Sequence, residues 1–455
     1  MAYSVGSLAG GAGCDRVADP GQRVEAPPQR LDVIERVRST ILEYPRQFWV
    51  LFVSELINSA GAGLVFPFLS LYLSRHLNFS MTDVGMFFGL YAVISTFSQL
   101  AGGSLVDRIG RKPVMLFSMF GNAVAVLGFG LGGPLMSAPG ALRLGVIAVI
   151  ITALGLTGAA FGPAVNAMVA DLVESQKRSQ AYGLLRVVQN LGIAIGPAVG
   201  GLIATHSSYL LLFAISAVAS AIYGVMIALY IRETLPKRAL GAQTAVQPKG
   251  AGMGDVLRDR VFMLFTLLSM AVLLSYSQMT TTLPVYLNRG FAVSEQWFGL
   301  MMSLNAGMVV LFQFSVTRIT SRYGRSVMMA LGAVFYALGF GLFAGGSLWT
   351  LIGALPFFFL AQAVLTTGEM IIVPVSQAFA ADIAPQDMRG RYMGVFGLAY
   401  TAGYGLGPML GGLVMDQLGG QYIWYAAFAS CMLLGLGFLA MTGPINKRLA
   451  AAGQA

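Results

Sequence analysis

Apolar runs of roughly 20 residues recur along the whole chain, each closed by a short polar or Gly/Pro-bearing break. A helix needs about that many apolar residues to cross a hydrocarbon layer some 30 Å thick. Twelve runs begin near Phe48, Val84, Val114, Leu144, Tyr182, Tyr209, Phe262, Trp297, Val327, Leu348, Tyr392 and Tyr422. They are continuous rather than alternating in polarity, so they predict an all-α membrane fold and exclude a transmembrane β-barrel. An even number of spans places both ends of the chain on one side.

Composition strengthens that picture. At 455 residues the length alone would suggest two or three soluble domains. Yet 56% of residues are hydrophobic and 10% are charged, with a mean hydropathy of +0.73, against about 25% charge in soluble domains. Apart from Arg75, Arg143, Arg186 and Arg289, every Lys and Arg falls in the tails or in the loops assigned to one face. The positive-inside rule makes that face cytoplasmic. The expectation is a multi-pass protein of the cell membrane with tails 1–46 and 442–455 and a linker 232–260 in the cytoplasm. The net charge of +9 is then an orientation signal and a contact with anionic lipid, not a nucleic-acid surface.

The first 28 or so residues lack the apolar core of a cleavable signal and are expected to form a tail. Leu31, Ile34, Val37 and Ile41 have the spacing of a short amphipathic helix, lying on the membrane or extending the first span. Cys14 and Cys431 are too far apart in the topology to bridge, and no metal or cofactor site is implied.

The chain also repeats itself. Gly183, Gly192, Gly196, Pro197, Gly200 and Gly201 recur 211 positions later as Gly394, Gly403, Gly407, Pro408, Gly411 and Gly412. Pro163, Asp171 and Arg178 recur at the same interval as Pro374, Asp382 and Arg389. Two six-span halves, 47–231 and 261–441, are therefore expected as parallel repeats related by a pseudo-two-fold axis.

The loop after the second span reads Gly103-x-Leu105-x-Asp107-Arg108-x-Gly110-Arg111-Lys112-Pro113 and resembles the signature loop of the major facilitator superfamily. The Gly183 to Gly201 pattern resembles the antiporter motif of that superfamily's drug:proton antiporters with twelve spans, as does Arg232-Glu233-Thr234-Leu235 after the sixth span. The resemblance covers about residues 45–445 and implies a transporter that rocks two halves about a central site. It further implies that the loop at Asp107 latches the halves in the outward-facing state. There an anion suits a helix N-terminus, while Gly103, Arg108, Gly110, Arg111 and Lys112 complete the loop. Two departures stand out: the second half carries Ser321 in place of the family Asp, and the fourth span lacks an embedded Arg, for which Arg186 is a substitute.

Proton coupling needs titratable groups at depth, and of 19 acids only Glu55 and Glu369 lie well inside apolar runs. A charge at the bilayer centre costs roughly 3 kcal/mol or more, which makes such residues functional candidates by default. Gly368-Glu369, followed by Pro374, Gln377 and Asp382, resembles the tenth span of multidrug transporters whose glutamate takes protons and cationic drugs. Glu55 is open to an ion pair with Arg186, and Asp171 to a helix-end role as well as a proton relay. Asp83, following Ser80 at capping-box spacing, reads as structural, and neither His76 nor His206 lies at depth.

Asn58, Asn166, Arg186, Gln189, Asn190, Tyr276, Gln278, Asn305, Gln362, Tyr400 and Tyr404 are candidates to line the substrate cavity. Each equally fits an interhelical hydrogen bond or packing contact. The 24 methionines suit an adaptable surface. The expectation is a proton-coupled exporter of amphipathic or cationic small molecules, working as a monomer in the bilayer. The alternatives are a narrow transporter of a metabolite, lipid or siderophore, or a non-transporting receptor. No phosphate loop, metal cluster or activated nucleophile suggests an enzyme.

Overall fold

The computed structural model describes residues 43–131, 140–235, 253–350, 353–385 and 388–444. The amphipathic segment 31–41, Cys14, most of the linker and the C-terminal tail lie outside these residues. Twelve long helices follow in order: α1 Arg46–His76, α2 Met81–Ile109, α3 Arg111–Leu131, α4 Ala141–Leu172, α5 Arg178–His206, α6 Tyr209–Tyr230, α7 Arg260–Phe291, α8 Glu295–Thr320, α9 Arg325–Ala344, α10 Ala354–Ile383, α11 Arg389–Gln417 and α12 Gly420–Ala440. Eleven of them are long and apolar enough to cross a membrane. The other, α11, is diluted by Gly and Tyr and was nonetheless marked by the sequence as a span.

One boundary differs from the sequence reading. The tenth span starts at Ala354, because Leu348 belongs to a separate turn of helix, Gly346–Trp349, set off from α10 by Gly353 at φ +93°. The Ser80–Asp83 capping box is present in full at the start of α2.

Packing repeats between the halves. In the first, α1 packs on α5 and α6, α2 on α4, and α3 on α4 and α6; in the second, α7 packs on α11 and α12, α8 on α10, and α9 on α10 and α12. Individual bonds repeat with it. The Tyr72 hydroxyl donates to the Phe129 carbonyl at 2.8 Å, and the Tyr286 hydroxyl donates to the Phe343 carbonyl at 3.2 Å. These pairs are 214 positions apart, whereas the glycine motifs are 211 apart.

The halves meet along two seams, α2 against α11 and α5 against α8. The antiporter-motif glycines divide between this seam and the interior of their own half. Gly192, Gly196 and Gly200 face α1: a Cβ on Gly196 would lie 2.6 Å from the Gly63 Cα, and one on Gly200 would lie 2.7 Å from the Leu64 carbonyl oxygen. Gly201 faces α8, where a Cβ would lie 2.6 Å from the Glu295 carbonyl oxygen. Gly412 meets the Met81 backbone of α2 in the same way. Gly183 has no atom within 4 Å of a Cβ position, so it takes no part in either contact. Of these six motif residues, only Pro197 and Gly201 reach the other half, through Gly299 and the start of α8.

Polar bonds close one end of the bundle. The Asp416 carboxylate accepts from the Met81 N–H at 3.2 Å and from the Thr82 N–H and hydroxyl, both at 2.7 Å. Thr205, 211 positions before Asp416, accepts from the Gln296 N–H at 3.0 Å. Arg75 pairs with Glu295 at 3.2 Å, and Arg289 reaches the Ser74 carbonyl at 3.4 Å. At the opposite end no hydrogen bond or ion pair among the described residues crosses between the halves. Gly103, Gly390 and Gly394 there have no neighbour within 4 Å of a Cβ position.

Candidate functional site

Two cavities lie side by side in the bundle and share Ala62, Asn190 and Ile193 as a common wall. The first, about 450 Å³, runs between α1, α5, α7, α8, α10 and α11. Its walls are mostly apolar, including Phe66, Met279 and Met302, and its polar lining includes Tyr276, Thr280, Asn305, Gln362, Tyr404 and Glu369. Glu369 is placed there by its neighbour. Gly368 lies against α9, where a Cβ would sit 2.8 Å from the Gly332 carbonyl oxygen, and the next residue of a helix points about 100° away. Asn305 Nδ2 donates to Glu369 Oε2 at 2.7 Å and to the Thr366 hydroxyl at 3.0 Å. No Lys or Arg lines this cavity, and no ion pair forms on Glu369 among the described residues.

The second cavity, about 940 Å³, lies within the first half. Glu55, Asn58, Asn166, Arg186 and Gln189 all line it. Glu55 is only 5% exposed. Its carboxylate accepts from Gln189 Nε2 at 2.7 Å and from the Tyr223 hydroxyl at 3.1 Å. The ion pair with Arg186 left open by the sequence is not made, because neutral donors already hold both oxygens. Asn58 accepts from the Ser220 hydroxyl, which accepts from Asn122, so this wall residue also ties α1 to α6 and α3.

Several sequence candidates lie elsewhere. Gln278 donates to the carbonyls of Leu274 and Gly407, at 2.9 and 2.7 Å, and accepts from Thr282 at 3.0 Å. It joins α7 to α11 and lines neither central cavity. Its repeat counterpart is Leu64, whose backbone meets Gly200, whereas the Gln278 side chain meets Gly411. Tyr400 packs against Phe396 at 6.1 Å between ring centroids and lines neither cavity, yet it lies within charge-interaction range of both Glu369 and Arg186.

Asp171 stands at the end of α4, where Arg111 Nε donates to it at 2.9 Å and the Thr234 hydroxyl at 2.6 Å. Arg325 and Asp382 form the corresponding ion pair in the second half. Both are braces between neighbouring helices, and none of these residues lines either cavity. Asp107 meets no helix N-terminus: its side chain is 76% exposed and touches Arg111 at 3.8 Å.

Glu233 occupies the position the sequence reading did not assign. It accepts from the Arg111 and Lys112 N–H groups at 3.1 and 2.9 Å, closing the start of α3. Burial raises its carboxyl, but the backbone donors of Leu235, Arg111, Lys112 and Thr234 outweigh that and hold it below the ordinary Glu value. Periodicity cannot find such a partner 122 residues from the helix it caps; only its place in the Arg232–Leu235 motif marked it.

The sequence matches the family model of the Major Facilitator Superfamily over residues 51–344 and 281–454. The chain belongs to the Major Facilitator Superfamily. Its relatives in that superfamily include a "Na(+), Li(+), K(+)/H(+) antiporter" of Planococcus maritimus, 28% identical over 81% of this chain and 89% of the relative. A "Multidrug resistance protein MdtH" of Yersinia enterocolitica is 26% identical over 81% of this chain and 86% of its own length. Among solved structures, the nucleoside transporter NupG superposes with a TM-score of 0.71 at 17% identity, over 87% of this chain and 99% of that one. Such a likeness carries the fold. As a superfamily member the chain is a multi-pass membrane transporter, not an enzyme.

Proposed function

We propose that this transporter exports amphipathic, cationic small molecules in exchange for protons, with Glu369 serving proton and substrate in turn. The observation that carries the reading is a carboxylate without a cationic partner, set in a cavity of about 450 Å³ walled by apolar and aromatic side chains. A buried carboxylate must be neutralised by a proton or a cation, and the faces of Phe66, Tyr276 and Tyr404 suit an organic cation. Glu55 is the second candidate for proton loading; Asp171, held by Arg111 and Thr234, is left to bracing.

The charge pattern puts the Asp107 end in the cytoplasm, so the bundle is read as inward-facing. The exposed Asp107 is then the latch in its released state. Closing that end would bring the loop at Gly103 to Lys112 against the second half, and the site would open past Asp416 and Thr82. One proton exchanged for one monovalent cation moves no net charge, so the pH difference drives it; with a neutral substrate the same proton would add about 2.3 kcal/mol per 100 mV of potential.

The test is proton release from energised inverted vesicles on addition of ethidium. Wild type is expected to release protons and Glu369→Gln to lose the response; unchanged release in Glu369→Gln removes the proposed role. A monovalent-cation exchanger is the second reading, favoured by the Planococcus relative. It predicts release by Na⁺, Li⁺ or K⁺ and none by ethidium, and the apolar lining of the Glu369 cavity weighs against it. A narrow metabolite transporter would respond to neither.

A further inference from the structure

Among the described residues, Arg186 is the one cation on the walls of the two adjoining cavities. It is exposed to the larger cavity, and among the described residues it makes no hydrogen bond and no ion pair. An arginine inside an apolar helix is costly and is retained where it faces a water-filled cavity or a partner. The acid nearest to hand does not supply that partner. Glu55 lines the same cavity but is turned back onto Gln189 and Tyr223, which hold both its oxygens.

What surrounds Arg186 is a set of neutral side chains: Asn166, Tyr182, Gln189 and Asn190 line the same cavity. Tyr182 donates its hydroxyl to the Asn166 backbone carbonyl at 3.0 Å and Gln189 donates to Glu55, so the guanidinium and the side-chain amides of Asn166 and Asn190 are the donors that suit a planar carboxylate or another oxyanion. On the other side of the shared wall at Asn190 stands Glu369, an acid with no cation of its own. Tyr400 on α11 lies within charge-interaction range of both Glu369 and Arg186, so a molecule reaching past the shared residues meets a positive group at one end and a negative group at the other.

We propose that Arg186 is an anion subsite and that the transporter takes amphoteric amphiphiles, molecules carrying a basic group for Glu369 and an acidic group for Arg186. The proposal rests on the exporter reading above and narrows its substrate class. It assigns Arg186 to substrate selection, separate from proton exchange at Glu369.

Rhodamine 110 and rhodamine 123 are a matched probe pair, since the second is the methyl ester of the first and lacks only the free carboxylate. Binding of each to the full chain in nanodiscs is read by fluorescence anisotropy. On the unsubstituted protein rhodamine 110 is expected to bind at least as tightly as its ester. Arg186→Gln should weaken rhodamine 110 at least tenfold and change rhodamine 123 less than threefold, whereas Arg186→Lys should keep most of the rhodamine 110 affinity.

A wild-type protein that binds the ester tenfold better than the acid overturns the proposal without any variant. So does an Arg186→Gln protein that loses both dyes equally or neither. Either result leaves the exporter reading standing as long as rhodamine 123 still drives proton release through Glu369; loss of that release sinks the exporter reading instead.

Discussion

Asp416 Oδ2 lies 2.7 Å from the Thr82 N–H, so the last turn of α11 caps the first turn of α2 across the boundary between the halves. The carboxylate takes two backbone donors and a hydroxyl that the start of α2 would otherwise leave to water. Anions at a helix N-terminus gain further from the macrodipole. Thr205 answers it on the other seam with an uncharged acceptor for the Gln296 N–H, so the two seams are matched in geometry and unequal in strength.

Opening this end must break the Asp416 bonds. Hydrogen bonds to a charged group are worth about 1.5–3 kcal/mol, so Asp416→Ala should shift the balance toward the state open at this end by roughly tenfold or more. Spin labels on Ser80 and Gln417, read as a distance distribution, should gain a longer component. An unaltered distribution would show that Asp416 does not hold the seam.

The glycines of α5 should respond by position rather than by membership of the motif. A Cβ at residue 201 meets the Glu295 carbonyl oxygen, while one at 183 meets nothing within 4 Å. Gly201→Ala should cost about 1–3 kcal/mol by overpacking, seen as a lower melting temperature in detergent. Gly183→Ala should be neutral or slightly stabilising, since alanine is the better helix former.

For Asp171 the expected outcome separates a brace from a relay. Asp171→Asn should lower the melting temperature, since it weakens the ties to Arg111 and Thr234, and should retain substrate-driven proton release. Release abolished in a protein that still binds substrate would put Asp171 back in the proton path.

Glu233 makes stability depend on pH at the acidic end. Its folded carboxyl titrates below the ordinary value near 4.5, so its contribution is complete above that value and is lost as pH falls through the depressed one. Melting temperature measured downward from pH 5 should therefore fall more steeply in wild type than in Glu233→Gln. Parallel curves would remove Glu233 from the acid response.

Gln278→Leu should leave dye binding and proton release intact, because leucine is what the first half uses at the equivalent place, Leu64. Asn305→Leu, which strips Glu369 of its one amide donor, should weaken rhodamine 123 binding severalfold. Together they ask whether a polar residue in a span belongs to the packing or to the cavity.

That contrast also marks what sequence can reveal. The spans are legible because lipid imposes long apolar runs, and Glu369 is legible because an acid in such a run is rare. Gln278 and Asn305 look alike along the chain; only three-dimensional placement puts one against the Gly407 carbonyl and the other against a carboxylate. Asp107 and Glu233 show the same limit. The loop that holds Asp107 announces itself, yet in this conformation the helix start beside it is capped by Glu233, brought in from beyond α6.

The repeat keeps two registers, 214 positions from α1 through the Phe129 turn and 211 from Pro163 onward. Most of that difference lies in the helices: α4 has 32 residues and α10 has 30, while the stretches 132–140 and 345–353 that precede them are equal in length. Neither seam is displaced by that change in length. Helices α4 and α10, which form neither seam, are thus where the two halves differ in length without disturbing how one moves against the other.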